Sequence, residues 1–373
     1  MAVEQTLYTQ FPPKEPQETV QDLVVKRVPD IGLPDSFVRF FEQLPTTRKV
    51  PHSATLLYRP DEVDKLRNAT SPEEGLQCII NLKRINDIRY INKFFEAVNA
   101  KLAMGGLIVG RVETNGQRYH RIMDKYPAVI RNIVYFFDFL IKRVWPKLPH
   151  LRKLYFHLFK GRGRVLSEIE TLGRLISCGY KIIEAESVDG KLYFLAEKIG
   201  EPDFNHQVTY DPLIRLNRTG KNGKPIRVLK FRTMYPYSEY LQEYIYEQQG
   251  LQEGGKFSND PRINSVGRFM RKYFLDEWPM FINLLRGELK LFGVRPLSKH
   301  YLGIYPADFR EYRKGFKPGL IPPYYVDMPD TIEEIVASEK RYLEAYEKHP
   351  FLTDLRYLVK AIRNIIVKKA RSC

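Results

Sequence analysis

The sequence predicts an α/β protein built from two lobes, and three observations support this fold class. Its 373 residues, 43% of them hydrophobic, are enough for two packed domains with separate cores. In the first half, short apolar runs alternate with segments of helical periodicity, as strands and helices do in α/β folds. From about residue 208 the sequence becomes basic and contains turn residues. We therefore predict an N-terminal extension at 1–50, an α/β lobe at 51–203 and an α+β domain at 204–373.

The first lobe is predicted to contain a largely parallel sheet. Strands are expected at 54–59, 78–83 and 105–114, and a closing strand pair at 180–185 and 191–199. Short apolar strands that alternate with helices favour parallel pairing. Residues 167–179 predict a helix with Ser167 as its N-cap, because Ser is a preferred residue at that position. Residues 87–103 predict another helix, whose apolar stripe consists of Ile88, Ile91, Phe95 and Val98.

A long insertion at residues 128–164 interrupts this lobe. Its first part predicts a helix that Pro146 and Pro149 end, and a second amphipathic helix follows. Eight Lys or Arg and no acid occur from 139 to 167. This pattern fits a helical pair at an anionic membrane surface, and it equally fits a pair packed on its own domain. The apolar face of the first helix consists of Ile130, Ile133, Val134, Phe137, Leu140, Ile141 and Val144.

The net charge of +16, from 60 basic and 44 acidic residues, predicts an anionic partner. Nucleic acid is not the expected one, because no known binding module is recognisable. Cys78, Cys178 and Cys373 share no metal or redox spacing and are expected to be reduced. No apolar run is long enough to predict a membrane-spanning helix. Homo-oligomerisation is left open.

The order of elements in the first lobe resembles the second half of a class I S-adenosylmethionine-dependent methyltransferase, which has a Rossmann-like fold. The resemblance rests on the "AMGGLIV" strand, the following helix and the "GYKIIEAESVDGKLYFLAEK" strand pair. Such enzymes hold the cofactor with a Gly-rich turn, and residues 20–80 contain none. We therefore expect a degenerate, non-catalytic lobe that serves as a scaffold or binds a partner. An active methyltransferase is the less favoured alternative.

Two adjacent carboxylates, Asp276 and Glu277, stand out in the second domain. An apolar, helix-like run follows them after Pro279. Acids suit the positive end of a helix dipole, and Asp is a preferred N-cap, so capping alone would account for the pair. A helix N-terminus would also favour the ionised form of Asp276, as nucleophilic catalysis requires. The sequence is consistent with both roles together.

The second domain resembles the bacterial sugar transferases, the monotopic polyprenol-phosphate phosphoglycosyl transferases. The resemblance runs from about residue 210 to 370 and rests on several motifs in order: "GKNGKPIRVLKFRTM", "NDPRINSVGRFMRK", "LDEWP", "LLRGELKLFGVRP" and "KPGL". It implies a reaction in which a UDP-sugar gives its sugar phosphate to polyprenol phosphate and UMP leaves. This step begins the synthesis of an exopolysaccharide or another surface glycan. The expected location is the cytoplasmic side of the cell membrane, peripheral or monotopic.

The resemblance also assigns roles to individual residues. Asp276 is implied as the nucleophile that carries the phosphosugar, with Glu277 as its partner and Mg²⁺ in contact with Asp276. Arg271 and Arg295 match arginines that hold phosphate oxygens, a task for which the planar guanidinium is well suited. Three further basic positions match, and each either lines the diphosphate site or pairs with a nearby acid: Lys230, Arg232 and Arg262.

The chain also departs from the family pattern. A long apolar re-entrant helix usually precedes the "KFR" strand, and this chain has "GEPDFNHQVTYDPLIRL" there. After "KPG", the loop "LIPPYYVDMPDT" has no arginine, so Tyr324, Tyr325 and Asp327 are candidates to take over its role. These departures keep an alternative open: a catalytically inactive relative that binds a nucleotide sugar or interacts with a partner.

Overall fold

The computed structural model of the protein describes residues 18–19, 35–43, 49–50, 55–58, 75–204, 211–249 and 260–367. The chain divides into two compact units. Unit 1 comprises Met1–Tyr210 and Pro236–Ile245, and unit 2 comprises Asp211–Tyr235 and Tyr246–Cys373. The segment Pro236–Ile245 thus belongs to unit 1, although the sequence prediction placed it in the range 204–373. A side chain at Gly173 would lie 2.3 Å from the carbonyl oxygen of Tyr237, so the glycine permits this close packing.

Unit 1 is built around a five-stranded sheet with the strand order β3-β4-β5-β7-β6. Two-residue strands β1 (Glu18–Thr19) and β2 (Lys49–Val50) pair with each other separately. The strands of the main sheet are β3 (Thr55–Tyr58), β4 (Leu76–Arg84), β5 (Leu102–Val112), β6 (Tyr180–Val188) and β7 (Lys191–Lys198). The α/β class is therefore confirmed for this unit.

The sheet is mixed rather than largely parallel, which corrects the sequence prediction. Strands β3, β4 and β5 are parallel, whereas β7 pairs antiparallel with both β5 and β6. A two-residue turn joins β6 to β7, and its residues Asp189 and Gly190 both have positive φ. Such a turn requires antiparallel strands, and no crossover connection intervenes.

Six helices belong to unit 1: α1 (Asp35–Gln43), α2 (Ile91–Lys101), α3 (Asn115–Lys125), α4 (Ala128–Phe139), α5 (Pro149–Phe159) and α6 (Glu168–Ser177). The hydroxyl of Ser167 accepts a hydrogen bond from the backbone N–H of Glu170 at 3.0 Å, so the predicted N-cap is confirmed. The aromatic ring of Phe95 is fully buried, and it packs edge-on against the rings of Tyr180 and Phe194. The predicted apolar stripe of α2 thus faces the sheet.

The insertion folds as two helices separated by a proline-containing break, as predicted. Helix α4 continues into a π turn at Leu140–Val144 and a 3₁₀ turn at Trp145–Lys147, and α5 then begins at Pro149. Tyr155 on α5 is completely buried, and its hydroxyl donates to the carbonyl of Arg162. Across the described parts of the chain, no helix is both long and apolar enough to cross a membrane.

Unit 2 begins with a hairpin of β8 (Leu213–Thr219) and β9 (Pro225–Phe231). Helix α7 (Gln242–Gln249) begins in the segment assigned to unit 1 and ends in unit 2, and α8 (Ser265–Lys272) and α9 (Met280–Leu285) come next in unit 2. A short parallel pair forms between β10 (Lys290–Phe292) and β11 (Gly319–Ile321). The remaining helices are α10 (Lys299–Gly303), α11 (Ala307–Lys314), α12 (Tyr324–Asp327), α13 (Ile332–Lys348) and α14 (Pro350–Val367).

A fully buried amide fixes α9 against the hairpin. The side-chain oxygen of Asn283 accepts the N–H of Leu229 at 2.9 Å, and its nitrogen donates to the carbonyl of Arg227 at 2.8 Å. The amide thus satisfies polar backbone groups that would be costly to bury alone. This contact sets the position of α9, and therefore of the segment that precedes it, relative to β9.

Candidate active site

A cavity of about 230 Å³ in unit 2 contains the carboxylate pair. Five of the seven predicted site residues line it: Lys230, Arg271, Asp276, Glu277 and Arg295. The cavity also contains a cation that the sequence prediction missed, Arg218. Its apolar and aromatic walls are formed by Ile214, Leu216, Val228, Phe231, Phe274, Met280, Pro296, Leu320, Pro322, Tyr324 and Tyr325.

The β8–β9 hairpin supplies two of the cations. Side chains alternate between the faces of a strand, so Ile214, Leu216 and Arg218 share one face of β8. On β9, Lys230 lies opposite Ile214 in the ladder and faces the same cavity. This alternation of apolar and basic residues is the sequence signal that could have identified Arg218, although no strand was predicted here.

Helix α8 supplies Arg271. Its Nε donates to the hydroxyl of Thr233 at 3.0 Å, which fixes the guanidinium at the cavity wall. The helix can approach this segment because residue 267 is a glycine: a side chain there would lie 2.1 Å from the carbonyl oxygen of Thr233. Burial lowers the pKa of Arg271, and the guanidinium remains charged at any physiological pH.

Asp276 lies in a 3₁₀ turn, Leu275–Glu277, and not at the N-cap of a helix. Phe274 adopts a left-handed conformation, with φ of 57°, and turns the chain sharply after α8. Helix α9 begins only at Met280, with Pro279 in the preceding position, and no side-chain cap bond forms at either turn. The capping role predicted for the Asp-Glu pair is therefore wrong, and the two carboxylates are presented to the cavity instead.

The two carboxylates have different environments. Glu277 accepts a hydrogen bond from the ammonium group of Lys230 at 2.6 Å, in a half-buried ion pair. Burial raises the pKa of Asp276; Lys230 acts in the opposite sense, and the charge of Glu277 raises the pKa further. The helix-dipole argument predicted the opposite direction for Asp276. It does not hold, because the residue is not at the start of α9.

A buried ion pair supports the loop that contains Arg295. Arg313 donates to Glu339 at 2.6 Å, both side chains are 4% exposed, and Arg313 also donates to the backbone carbonyl of Arg295. The side chain of Arg295 itself is exposed at the cavity. Burial lowers the pKa of Arg218, and the nearby charge of Arg295 lowers it too. Two guanidinium groups are thus close enough to repel, as in a site built for an anion.

Arg232 and Arg262 do not line this cavity. The Nε of Arg232 donates to the backbone carbonyl of Asp211 at 3.1 Å. Arg262 forms a bidentate pair with Asp260, with contacts of 2.8–3.1 Å. Tyr324 and Tyr325 line the cavity, whereas Asp327 pairs with Arg341 at 2.8 Å and is absent from its lining.

The cavity combines four cations with two carboxylates, and it adjoins a further space. A neighbouring cavity of about 400 Å³ shares Arg218, Arg295 and Tyr324 with it. Arginines of this kind bind phosphate oxygens, and a carboxylate beside them can attack a phosphorus atom. Within the described residues, no group of three or more His, Cys, Asp or Glu could hold a metal ion alone.

Comparison with known proteins agrees with this chemistry. The profile of the family "Bacterial sugar transferase" matches residues 206–368. The exopolysaccharide production protein ExoY of Rhizobium meliloti (strain 1021) is 37% identical over 41% of this chain and 69% of that protein. The UDP-N-acetylgalactosamine-undecaprenyl-phosphate N-acetylgalactosaminephosphotransferase of Aeromonas hydrophila is 32% identical over 31% of this chain and 27% of that protein.

The chain matches only part of the length of several relatives. The chain spans 34% and 26% of the length of two further relatives that it matches. Among solved structures, a 16S rRNA N2 G1207 methyltransferase of T. Thermophilus aligns with 48% of this chain and 36% of that one. The sequence identity is 13% and the TM-score 0.16, so this alignment does not establish the fold of unit 1. From the match over most of ExoY, the chain belongs to the bacterial sugar transferase family.

Proposed function

We propose that the protein is a phosphoglycosyl transferase. It moves a sugar phosphate from a UDP-sugar to polyprenol phosphate, releases UMP and thereby initiates synthesis of an exopolysaccharide or another surface glycan. The observation that carries this proposal is one cavity that holds Asp276 and Glu277 among four cations. The name of the Aeromonas hydrophila relative contains the same donor and acceptor chemistry.

The proposed reaction uses Asp276 as its nucleophile. Its carboxylate attacks the phosphorus that carries the sugar, and the bond from that phosphorus to the bridging oxygen breaks, so UMP leaves with the oxygen. The phosphate of polyprenol phosphate then attacks the same phosphorus and releases Asp276. Phosphoryl transfer depends mainly on positioning and charge neutralisation, and Arg218, Arg271 and Arg295 supply the positive charge around the diphosphate.

The carboxylates of the cavity fit a Mg²⁺ ion that binds together with the substrate. Mg²⁺ is commonly held by one or two carboxylates plus phosphate oxygens and water, rather than by an all-protein cage. Asp276, with Glu277 beside it, offers such a donor set, and Glu277 is additionally bonded to Lys230. Bound there, the ion would neutralise charge on the diphosphate. Asp276 is the residue that we propose as its ligand.

We propose that unit 1 is a degenerate methyltransferase-like scaffold rather than a second catalytic unit. The support is the parallel β3-β4-β5 part of its sheet followed by the β6–β7 strand pair, and a sequence without a Gly-rich cofactor turn between residues 20 and 80. Without that turn, the backbone lacks the clustered glycines that would let it approach S-adenosylmethionine closely.

A lipid acceptor requires contact with a membrane, and we propose peripheral docking on its cytoplasmic face. Helix α4 has no buried residue, and its apolar side chains are widely exposed: Val129 by 86%, Phe136 by 59% and Ile133 by 57%. Such a face suits the boundary between lipid headgroups and acyl chains. Unit 2 has an exposed apolar stripe of its own along α14, formed by Phe351, Leu355, Val359, Ile362 and Ile366.

If the exposed apolar face of α4 docks on the membrane, replacing its side chains should weaken vesicle binding. We expect Ile133→Ser combined with Phe136→Ser and Phe137→Ser to lower the fraction that floats with anionic vesicles by at least about fivefold, because apolar area is lost from the interface. Met104→Ser removes an equally exposed side chain from β5 and is the matched control. If the triple variant floats as well as the wild type, α4 does not dock on the membrane.

The decisive test of the proposed function is a donor assay. Purified protein is incubated with a panel of UDP-sugars and Mg²⁺, with and without polyprenol phosphate, and UMP release is measured. We expect UMP in stoichiometric amounts with one donor alone and in multiple turnovers when the acceptor is added, as a two-step covalent route requires. No UMP with any donor would favour the inactive, nucleotide-sugar-binding relative.

A further inference from the structure

Unit 1 contains a cavity of about 520 Å³ that the proposed reaction does not use, and we call it the basic pocket. All of its lining residues belong to unit 1. Nine of them are Lys or Arg, and one, Glu170, is an acid. The cations come from three separate parts of the chain: residues 89–93, the insertion at 142–164, and Arg174 on α6.

The pocket lies where α/β folds usually bind ligands. Strand β4 ends at Arg84, and a 3₁₀ turn at Ile85–Asp87 leads directly to the lining segment 89–93. Beyond the end of β5, Thr114 forms a parallel bridge with Leu166, which also lines the pocket. The site is therefore at the carboxyl edge of two parallel strands, which is the common ligand position in such sheets.

The acids near the pocket do not balance its charge. Glu170 already contacts Lys147 at 3.1 Å and Arg174 at 3.0 Å. Of the other carboxylates close by, Asp138 pairs with Arg118 at 2.6 Å, and Asp87 pairs with Arg84 outside the pocket. Among the lining residues that the structure describes, nine are cations and one is an acid, and like charges in a partly enclosed space repel more than in water.

The titration behaviour of the pocket floor agrees with this crowding. Burial lowers the pKa of Lys147, Glu170 opposes this effect, and with the charges of Arg143 and Arg174 the pKa is about 8. Burial would raise the pKa of Glu170, but Lys147, Arg174 and Arg143 together lower it to about 2. A bound anion would relieve the repulsion among these cations.

The rim of the pocket is aromatic. The rings of Tyr90 and Phe156 stack with centroids 6.2 Å apart. The guanidinium of Arg89 lies 5.2 Å from the Tyr90 ring, and that of Arg164 lies 5.5 Å from the Phe156 ring. Cations held on aromatic faces are preorganised, so less conformational entropy is lost when they bind a ligand.

We infer that the basic pocket binds a phosphate ester, with the phosphate held by its Arg and Lys side chains and an apolar or aromatic portion against Tyr90 and Phe156. Arginine forks bind phosphate oxygens in pairs, which is a geometry that a simple chloride ion does not exploit. A soluble nucleotide and the headgroup of an anionic lipid share this chemistry. The inference is independent of the proposed transferase reaction, because Asp276 and its cavity belong to unit 2.

The two tryptophans of the chain, Trp145 and Trp278, allow a site-specific test. In the full-length Trp278→Phe protein Trp145 is the only tryptophan, so selective excitation of tryptophan reports on it, and it directly precedes the lining residues Pro146 and Lys147. We expect inorganic pyrophosphate to change this fluorescence saturably, with half of the change below about 1 mM. A second arm uses vesicles of phosphatidylcholine with and without phosphatidic acid. A response to pyrophosphate identifies a soluble ligand, and a response only to phosphatidic acid vesicles identifies a lipid headgroup.

Two matched double variants in the same background decide the result. Arg152→Gln with Lys153→Gln removes two exposed cations of the pocket, and we expect at least about tenfold weaker binding. Lys160→Gln with Arg162→Gln removes the same charges from the same insertion outside the pocket and should change binding by less than about twofold. Equal weakening by both pairs would mean diffuse charge attraction and would overturn the inference. No fluorescence response in either arm would overturn it as well.

Discussion

Replacing Asp276 by Asn is expected to lower sugar-phosphate transfer by about 10³-fold or more, because the carboxylate that we propose as the nucleophile is lost. Asn has almost the same shape, so the cavity and the positions of its cations should not change. In the wild type, a UDP-sugar without acceptor should leave a phosphosugar adduct on the peptide that contains Asp276. Mass spectrometry of the quenched reaction should detect this adduct, and the variant should lack it.

The fold should tolerate this change. Asp276 is half-buried and makes no capping bond in the Leu275–Glu277 turn, so helix α9 does not depend on its charge. Asp308→Asn, at an exposed position in the first turn of α11, is the matched control for loss of a carboxylate. Thermal melting of both variants should follow the wild type closely. Normal UMP release by the Asp276 variant would remove this residue as the nucleophile.

The sequence motifs predicted most of the site residues, because several of these residues are close together along the chain. Asp276 and Glu277 are neighbours, and Arg271 is close to them on the preceding helix, so their proximity needs no long-range information. Lys230 lies on the β8–β9 hairpin and Arg295 on a later loop, both within matched motifs, and both line the cavity. The helix start could not be predicted as reliably. The left-handed residue Phe274 creates a separate 3₁₀ turn, and bulky residues rarely adopt that conformation.

The sequence prediction was less successful for residues whose position depends on where a strand ends or on a local ion pair. Lys230 and Arg232 are two residues apart and would face the same side of a continuous strand. Strand β9 ends at Phe231, so Arg232 leaves the ladder and does not reach the cavity. Arg262 is two residues from Asp260, and this local pair holds it away. Arg218 alternates with Leu216 on β8 but lies before the first matched motif, so the motifs did not predict it.

The basic pocket shows a different limit of sequence reasoning. Eight cations without an acid were visible in the range 139–167, and they predicted a surface that attracts anions. Nothing in the sequence places Arg89 and Arg174 beside them, because Arg89 follows the turn after β4 and Arg174 lies on α6. The folded chain turns a linear run of charge into a partly enclosed site. Tyr155, on the second helix of the insertion, is completely buried in this packing.

Replacing Lys230 by Met is expected to lower transfer by about 10²-fold, the second largest effect on the reaction. The ammonium group of Lys230 bonds Glu277 at 2.6 Å, and Lys230 lines the cavity that we propose binds the diphosphate, so its loss removes a cation and leaves a half-buried carboxylate without that partner. Lys230→Arg keeps the charge and should retain much more activity. Lys224→Met, at an exposed position in the same hairpin, is the matched control and should be nearly neutral.

The pH dependence of the Lys230 variant separates a role at the site from general damage. Burial raises the pKa of Asp276, Lys230 opposes this effect and Glu277 adds to it. A nucleophile must be ionised, so activity is lost as the pH falls through this pKa. Removing Lys230 should therefore move the acid limb of the activity profile to higher pH, whereas Glu277→Gln should move it to lower pH. Shifts in the same direction, or no shift in either variant, would mean that Asp276 is not the group whose ionisation limits the reaction.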